Sequence, residues 1–283
     1  MTPEFKKRKA ILFFRILSIA LLFSLSAFGQ ATNVPAPFDG THDLLFQTAP
    51  IGSLMVGVYD GEVAFADLKQ HGDFGLGTVN GLDGEMIALD GEFYQIRTDG
   101  VAYRLADEQQ TPFASVTFFQ PDAVYSDVGA FTYDQLQNML LEMMPSKNYI
   151  YAIKITGRFK TMETRSVPKQ QPPYAPLTEV VANQTIFKMS DVQGVLIGFW
   201  SPAYTQGLNV PGYHFHFITD DRTAGGHLLD CIGENATIEI DYKFGVAMIY
   251  PRSATFADAD LSTEGLEEVE RPKSNLRFFN TLK

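Results

Sequence analysis

The sequence predicts an α+β fold, with two linked halves built on antiparallel or mixed β-sheets and a few covering helices. Asp-Gly pairs at 83–84, 90–91 and 99–100 separate short apolar runs at a spacing typical of successive hairpins. A polar, proline-rich connection after residue 166 divides this strand-rich chain in two. With 283 residues, 45% of them hydrophobic, the chain has enough apolar surface for one large core or two small ones.

The N-terminus has the pattern of a signal peptide. Basic residues 6–9 precede an apolar run from Ile16 to Phe28, and Ala27 and Gly29 are placed for cleavage before Gln30. A membrane anchor is the alternative, but the run is shorter than the roughly 20 residues that cross a bilayer. We therefore expect residues 1–29 to be removed and the mature chain to be exported, to the periplasm or the extracellular space, without further membrane contact.

Charge and cysteine content narrow the function classes. Residues 1–29 hold five of the 22 basic and one of the 33 acidic residues, so the mature chain keeps 17 and 32, a net charge of −15. Nucleic acid is disfavoured as a partner at that charge. Cys231 is the single cysteine, so it has no intramolecular disulfide partner. We expect it to be a buried small hydrophobe, with metal ligation as the alternative.

The first half is expected to span residues 42–166, after a flexible leader at 30–41. Asp60 is placed to cap a short helix over 63–70, and a meander of antiparallel strands follows from Gly77. Thr132 and Gln135 fit a capping box that begins a helix ended by Pro145. A strand over 149–155 continues towards the proline-rich connection.

The second half is expected to span residues 167–283 and to carry a metal site. A helix is predicted over 178–187 and a buried strand over 195–200. Ser190 and Gln193 also fit a capping box, but Gly194 and the β-rich run after it favour a strand. A hairpin is predicted from strands 212–219 and 227–231.

Three of the five histidines fall in this predicted hairpin: His214, His216 and His227. Side chains two apart in a strand share a face, so His214 and His216 point the same way while Phe215 and Phe217 pack behind them. If Asp221-Arg222 forms the turn, position 216 comes opposite 227, and such neighbours lie about 5 Å apart at Cβ.

Three histidines with an open coordination position are typical of a catalytic zinc site. Copper, nickel and iron also bind imidazole and stay open as alternatives. Packed or solvent-facing strand histidines without metal are the other alternative. A cupin-like dioxygenase also uses His-x-His, but its last histidine lies much further along the chain than His227 does from His216.

The sequence leaves open whether two charged residues, Glu85 and Arg165, belong to a functional site. Glu85 shares a predicted strand face with Ile87 and Leu89, where a carboxylate needs a cation or a hydrogen-bond partner, and a solvent-facing edge position is the alternative. Arg165, ahead of Ser-Val-Pro, is by itself typical of a solvated surface arginine.

Three segments in this order resemble the α-acetolactate decarboxylase family: residues 77–85, 157–168 and 212–231. The resemblance implies that His214, His216 and His227 bind zinc. It also implies that Glu85 and Arg165 line the active site and that Thr78 lies close to the substrate.

In this family a second glutamate near the C-terminus reaches the site. The resemblance assigns it to Glu270, with Glu267 and Glu268 as alternatives. The implied reaction converts (S)-2-acetolactate to (R)-acetoin and carbon dioxide, in acetoin biosynthesis, and the implied assembly is a homodimer. A zinc hydrolase and an exported metal- or ligand-binding protein without catalysis are the competing functions.

Overall fold

The computed structural model describes residues 39–262. The strands before residue 140 are β1 (Leu44–Thr48), β2 (Val63–Ala64), β3 (Phe74–Thr78), β4 (Glu85–Leu89), β5 (Glu92–Ile96), β6 (Ala102–Arg104), β7 (Gln110–Thr111), β8 (Ala114–Thr117), β9 (Ala123–Val128) and β10 (Phe131–Thr132). The later strands are β11 (Ile150–Ser166), β12 (Thr185–Ser201), β13 (Gly212–Thr219), β14 (Gly225–Lys243) and β15 (Gly245–Ile249). The helices are α1 (Ile51–Met55), α2 (Phe65–Leu68), α3 (Tyr133–Met143), α4 (Leu177–Val181) and α5 (Ala254–Ala257), with a 3₁₀ turn at Ala203–Thr205.

The first sheet is mixed and has seven strands in the order β15-β1-β8-β3-β4-β5-β6. Its β3-β4-β5-β6 part is the predicted antiparallel meander. Asp90 and Gly91 close the β4–β5 hairpin with φ of 55° and 77°. A two-residue turn with both angles positive matches the strand twist, and glycine adopts it without strain. Among the described strands of this sheet, β15 runs parallel to its neighbour β1 and the other pairings are antiparallel.

The second sheet contains the longest strands and closes on itself at one end. Its order is β10-β14-β11-β12-β13, and the start of β14 also pairs with β13. Strands β11, β12, β13 and β14 therefore form a small closed ring around an apolar core that includes Phe159, Phe215 and Phe217. The predicted α+β class is confirmed.

The two sheets pack against each other through a shared core. Ile87 of β4 lies in one buried cluster with Ile197 of β12 and Ile218 of β13. This contact brings the start of β4 next to the ring of the second sheet.

Several local predictions are confirmed and two are wrong. The capping box of α3 is present, with Gln135 N donating to Thr132 Oγ1 and Thr132 N donating to Gln135 Oε1. Residues 190–193 lie within strand β12, as predicted. The helix predicted over 178–187 ends at Val181, because residues 185–201 pair along β11 and sheet pairing overrides local propensity. The helix predicted over 63–70 is only the short α2, and its N-cap is Ala64 instead of Asp60.

Some predictions fall outside the described residues, namely the signal peptide at 1–29, most of the leader at 30–41, and Glu270. The division into halves at residues 166 and 167 stays a prediction. The sheets take strands from both sides of it, since β11 belongs to the second sheet and β15 to the first. Within residues 39–262, no helix has the length and apolar character needed to cross a membrane.

Candidate metal centre and active site

The three histidines converge at the closed end of the second sheet. His216 on β13 lies directly opposite His227 on β14, as the turn prediction required, and His214 is two residues earlier on the same face. Their ring centroids are 5.1 to 5.3 Å apart. One nitrogen from each ring lies within 4.8 Å of the others, and all three residues are buried. This spacing suits three ligands of one ion.

The strands behind the histidines fix their direction. Phe215 and Phe217 point to the opposite face of β13 and pack in the core of the ring, which confirms their predicted role. On β12, Gly198 pairs with Phe215, and a Cβ at this glycine would lie 2.0 Å from the His214 carbonyl oxygen. Glycine at position 198 therefore allows the close approach of β12 and β13.

Burial holds the three imidazoles neutral. It lowers the pKa of His214 to about 3, with a further contribution from the positive charge of Arg165. Burial, and then the neighbouring charges, also place the pKa values of His216 and His227 well below 6.5. Neutral imidazole is the form that binds a metal ion.

The tautomer of His216 is set by a backbone contact. Its Nδ1 lies 2.9 Å from the Met86 carbonyl oxygen, and because a carbonyl only accepts, Nδ1 carries the proton. Nε2 then carries a lone pair, has no hydrogen-bond partner within residues 39–262, and lies 3.5 Å from Glu85 Oε2. His214 Nδ1 is likewise buried without a partner in that range. Lone pairs that converge in this way are the donor set of a cation site.

Glu85 and Thr78 enter the site from the first sheet, where they are paired opposite each other on β4 and β3. Glu85 is 8% exposed, so the solvent-facing alternative is wrong. The packing of the first sheet on the second covers it. The Thr78 hydroxyl donates to the Gly84 carbonyl oxygen at 2.6 Å, and both Thr78 and Glu85 line a pocket with the histidines.

Arg165 enters from β11, where it pairs opposite His227. It is 4% exposed and lines the same pocket, so the surface alternative is wrong for it too. Its Nη1 donates to Gln184 Oε1 at 3.1 Å, while Nε is buried without a hydrogen-bond partner in residues 39–262. The guanidinium gives the pocket a fixed positive charge.

The lining of the pocket divides by chemistry into a polar set, called the polar wall, and an apolar set, called the apolar wall; the empty volume is about 430 Å³, including the open mouth. The polar wall holds the three histidines, Glu85, Arg165 and Thr78. The apolar wall, which the sequence did not predict, consists of Ile51, Leu54, Leu82, Phe113, Val167, Leu177 and Val181. The i, i+4 spacing of Leu177 and Val181 on α4 is a signal for a shared apolar face, but nothing in it indicates a pocket.

Cys231 and the other two histidines lie away from the site. Cys231 is 1% exposed within the core of the ring, where burial raises the pKa of its thiol to about 12. Its predicted burial is confirmed, and the metal cluster found among residues 39–262 does not include it. His71 stacks on Phe46 at 3.8 Å and His42 contacts Asp39, both away from the pocket.

The chain is similar in sequence and in structure to known proteins of one family. The model of the alpha-acetolactate decarboxylase family matches residues 45–263. The alpha-acetolactate decarboxylase of Methanosarcina mazei is 44% identical over 241 residues, which are 84% of this chain and 84% of that protein. The alpha-acetolactate decarboxylase of Brevibacillus brevis is 42% identical over 276 residues, 92% of this chain and 96% of its relative. The crystal structure of the Bacillus subtilis strain 168 enzyme superposes with a TM-score of 0.79 at 39% identity, covering 81% of this chain and 100% of that one.

Proposed function

The chain belongs to the alpha-acetolactate decarboxylase family and is a carboxy-lyase, and from this premise we propose that it is an exported, zinc-dependent enzyme that converts (S)-2-acetolactate to (R)-acetoin and carbon dioxide. One observation carries the proposal: three neutral, buried imidazoles converge beside Glu85, and Arg165 lines the same pocket.

Zinc fits the donor set of this site. His214, His216 and His227 would hold the ion, and three imidazoles leave a coordination position open, as catalytic zinc sites require. Closed structural zinc sites usually carry thiolates, whereas the candidate ligands found among residues 39–262 are all histidines. When bound, zinc supplies a Lewis acid that polarises the oxygen atoms of a hydroxyketone. The carbonyl of Met86 keeps His216 in the tautomer that this role needs.

Arg165 binds and orients the substrate carboxylate. It brings a buried positive charge to the pocket, and a planar guanidinium matches a carboxylate with two parallel hydrogen bonds. This contact holds the bond to the departing carbon dioxide in one orientation. The apolar wall, including Leu54 and Leu177, packs against the alkyl groups and excludes water from the reacting carbon.

Glu85 donates the proton that the substrate carbon takes up. When carbon dioxide leaves, its bonding electron pair stays on the substrate carbon, and that carbon must take up one proton. Glu85 lines the pocket from β4 and delivers this proton to one face, so that the product has one chirality. Thr78, paired opposite Glu85, lines the same pocket and lies close to the substrate. Glu270, with Glu267 and Glu268 as alternatives, is proposed to complete the site.

The test is acetoin formation from racemic acetolactate by the purified protein beginning at Gln30. We expect turnover that is lost on chelation, restored by zinc, and yields (R)-acetoin. Copper, nickel and iron are the comparison metals. A folded, zinc-loaded protein that releases no acetoin would contradict the decarboxylase proposal. Ester or amide turnover by that sample would then support a zinc hydrolase, and zinc binding without turnover would support a binding protein.

A matched pair of variants tests the role of Glu85. Glu85→Gln keeps the shape of the side chain but removes the proton-carrying carboxylate, so we expect a fall in kcat of about 100-fold or more. Glu163→Gln makes the same change on β11 in an ion pair with Lys188 and is the control. Normal turnover and product chirality in Glu85→Gln would exclude this role.

Export and assembly are tested separately. We expect the mature protein, with residues 1–29 removed, in the periplasmic or extracellular fraction, and a homodimer by light scattering. Unprocessed protein confined to the cytoplasm would contradict export. A monomer at working concentration would contradict the dimer.

A further inference from the structure

We propose that Gln184 is a positioning residue, which holds the guanidinium of Arg165 ready to receive the carboxylate of the substrate. The inference deepens the proposed function and rests on it. It assigns a role to a residue outside the motifs that the family resemblance uses.

Strand pairing fixes the backbone of Arg165, but it does not fix the orientation of the guanidinium group. On β11, Arg165 pairs with His227 on one side and with Ile186 on the other. The guanidinium, however, lies at the end of a long side chain with several rotatable bonds, and ordering such a side chain costs entropy. A contact at the far end is therefore needed to select one orientation.

Gln184 provides such a contact. Its Oε1 accepts a hydrogen bond from Arg165 Nη1 at 3.1 Å, across 19 residues of sequence. The contact is partly buried, which protects it from competition by water. Arg165 Nε has no hydrogen-bond partner within residues 39–262, so the guanidinium keeps an N–H donor for a further acceptor.

The position of Gln184 is itself anchored. Its backbone N donates to the Val181 carbonyl oxygen at 3.1 Å, where α4 ends and β12 is about to begin. Val181 and Leu177 of the same helix line the pocket. Gln184 thus contacts two residues that line the pocket: the backbone of Val181 in the apolar wall and the guanidinium of Arg165 in the polar wall.

An amide suits this role because it is neutral. Its oxygen orients the guanidinium by a hydrogen bond but leaves the positive charge uncompensated. A carboxylate at position 184 would form an ion pair with Arg165 and compete with the carboxylate of the substrate. The neutral amide therefore orients the guanidinium and leaves its positive charge available for the carboxylate of the substrate.

The kinetic consequence is a selective effect on binding. The carboxylate is still largely intact when its bond to carbon begins to break, so its contact with Arg165 is made both in the bound substrate and in the transition state. Removal of an interaction common to both states raises KM and leaves kcat nearly unchanged. We expect about a tenfold increase in KM for Gln184→Leu, with a change in kcat of less than about twofold.

Calorimetry on the zinc-loaded protein measures the effect without turnover. The probes are 2-hydroxyisobutyrate, which has the hydroxyl and the carboxylate, and 2,3-butanediol, which has hydroxyl groups but no carboxylate. Gln184→Leu should weaken binding of the acid about tenfold and leave binding of the diol unchanged within about twofold. Gln184→Asn, which keeps the amide but shortens its reach, should show the same selectivity if the leucine variant does not fold.

Two controls separate positioning from general damage. Asn183→Ala removes the neighbouring amide, which donates to Glu179 within α4, and should bind both probes normally. In an Arg165→Met background, Gln184→Leu should have no further effect on the acid, because the residue acts through Arg165.

Equal weakening of both probes, unchanged binding of the acid, or an undiminished effect in the Arg165→Met background would each overturn the proposal. These results are distinguishable from failure of the proposed function, which would appear as absent acetoin formation by the unmodified protein.

Discussion

Replacement of Gly198 by alanine should displace the strand that carries His214 and His216, and with it the candidate metal site. Gly198 lies on β12, paired with Phe215 of β13, the strand that carries two of the three histidines. A Cβ at position 198 would lie 2.0 Å from the His214 carbonyl oxygen and 2.6 Å from Phe215 Cδ1. The first of these atoms belongs to the backbone, so a side-chain rotation cannot relieve the contact.

The expected displacement follows from the distance. Ordinary van der Waals contact begins at 3.4 Å, so the His214 carbonyl oxygen must move about 1.4 Å away from β12. Metal–ligand distances tolerate about 0.2 Å, and overpacking of a core costs about 1–3 kcal/mol. We therefore expect Gly198→Ala to lower the melting temperature and to weaken zinc binding by about 10- to 100-fold.

Competition with a chromophoric chelator gives the zinc affinity, and thermal unfolding of the metal-free protein gives the stability. Gly129→Ala is the matched control, because a Cβ there meets no atom within 4 Å. If Gly198→Ala bound zinc as tightly as the control and formed acetoin at the same rate, the close approach of β12 and β13 would not be what positions His214.

Three further predictions concern the thiol, the metal-free protein and the apolar wall. Because burial raises the pKa of Cys231 to about 12, a thiol reagent at about pH 8 should label it slowly in the native protein and rapidly in denaturant, and fast native labelling would contradict this. In metal-free protein the pKa of His214 is about 3 in the folded state and near 6.5 in the unfolded state. At a pH between these two values the unfolded chain binds more protons than the folded one, so the free energy of unfolding should fall as the pH drops from about 6.5 towards about 3. Urea midpoints in chelator that stay constant from about pH 7.5 to about pH 5 would exclude this. Leu177→Ala should enlarge the pocket for acetohydroxybutyrate, a substrate analogue whose alkyl group is larger than that of acetolactate. The kcat/KM ratio of acetohydroxybutyrate to acetolactate should rise roughly tenfold, and an unchanged ratio would show that α4 does not limit the alkyl group.

The sequence by itself determined the histidine triad, because that arrangement depends on local geometry. The two-residue period of a strand puts His214 and His216 on one face, and the turn at Asp221-Arg222 brings His227 opposite His216. The capping box at Thr132 and the hairpin at Asp90-Gly91 are short-range for the same reason.

The tertiary structure alone decided which charged residues join the triad. Glu85 and Arg165 fit a surface as well as a site until the first sheet packs on the second and buries both. The end of α4 at Val181 likewise depends on a long-range contact, because residues 185–201 pair along β11. The hydrogen bond between Gln184 and Arg165 follows from that pairing. The free energy of such contacts comes from residues far apart in the chain, and a local pattern contains no signal for them.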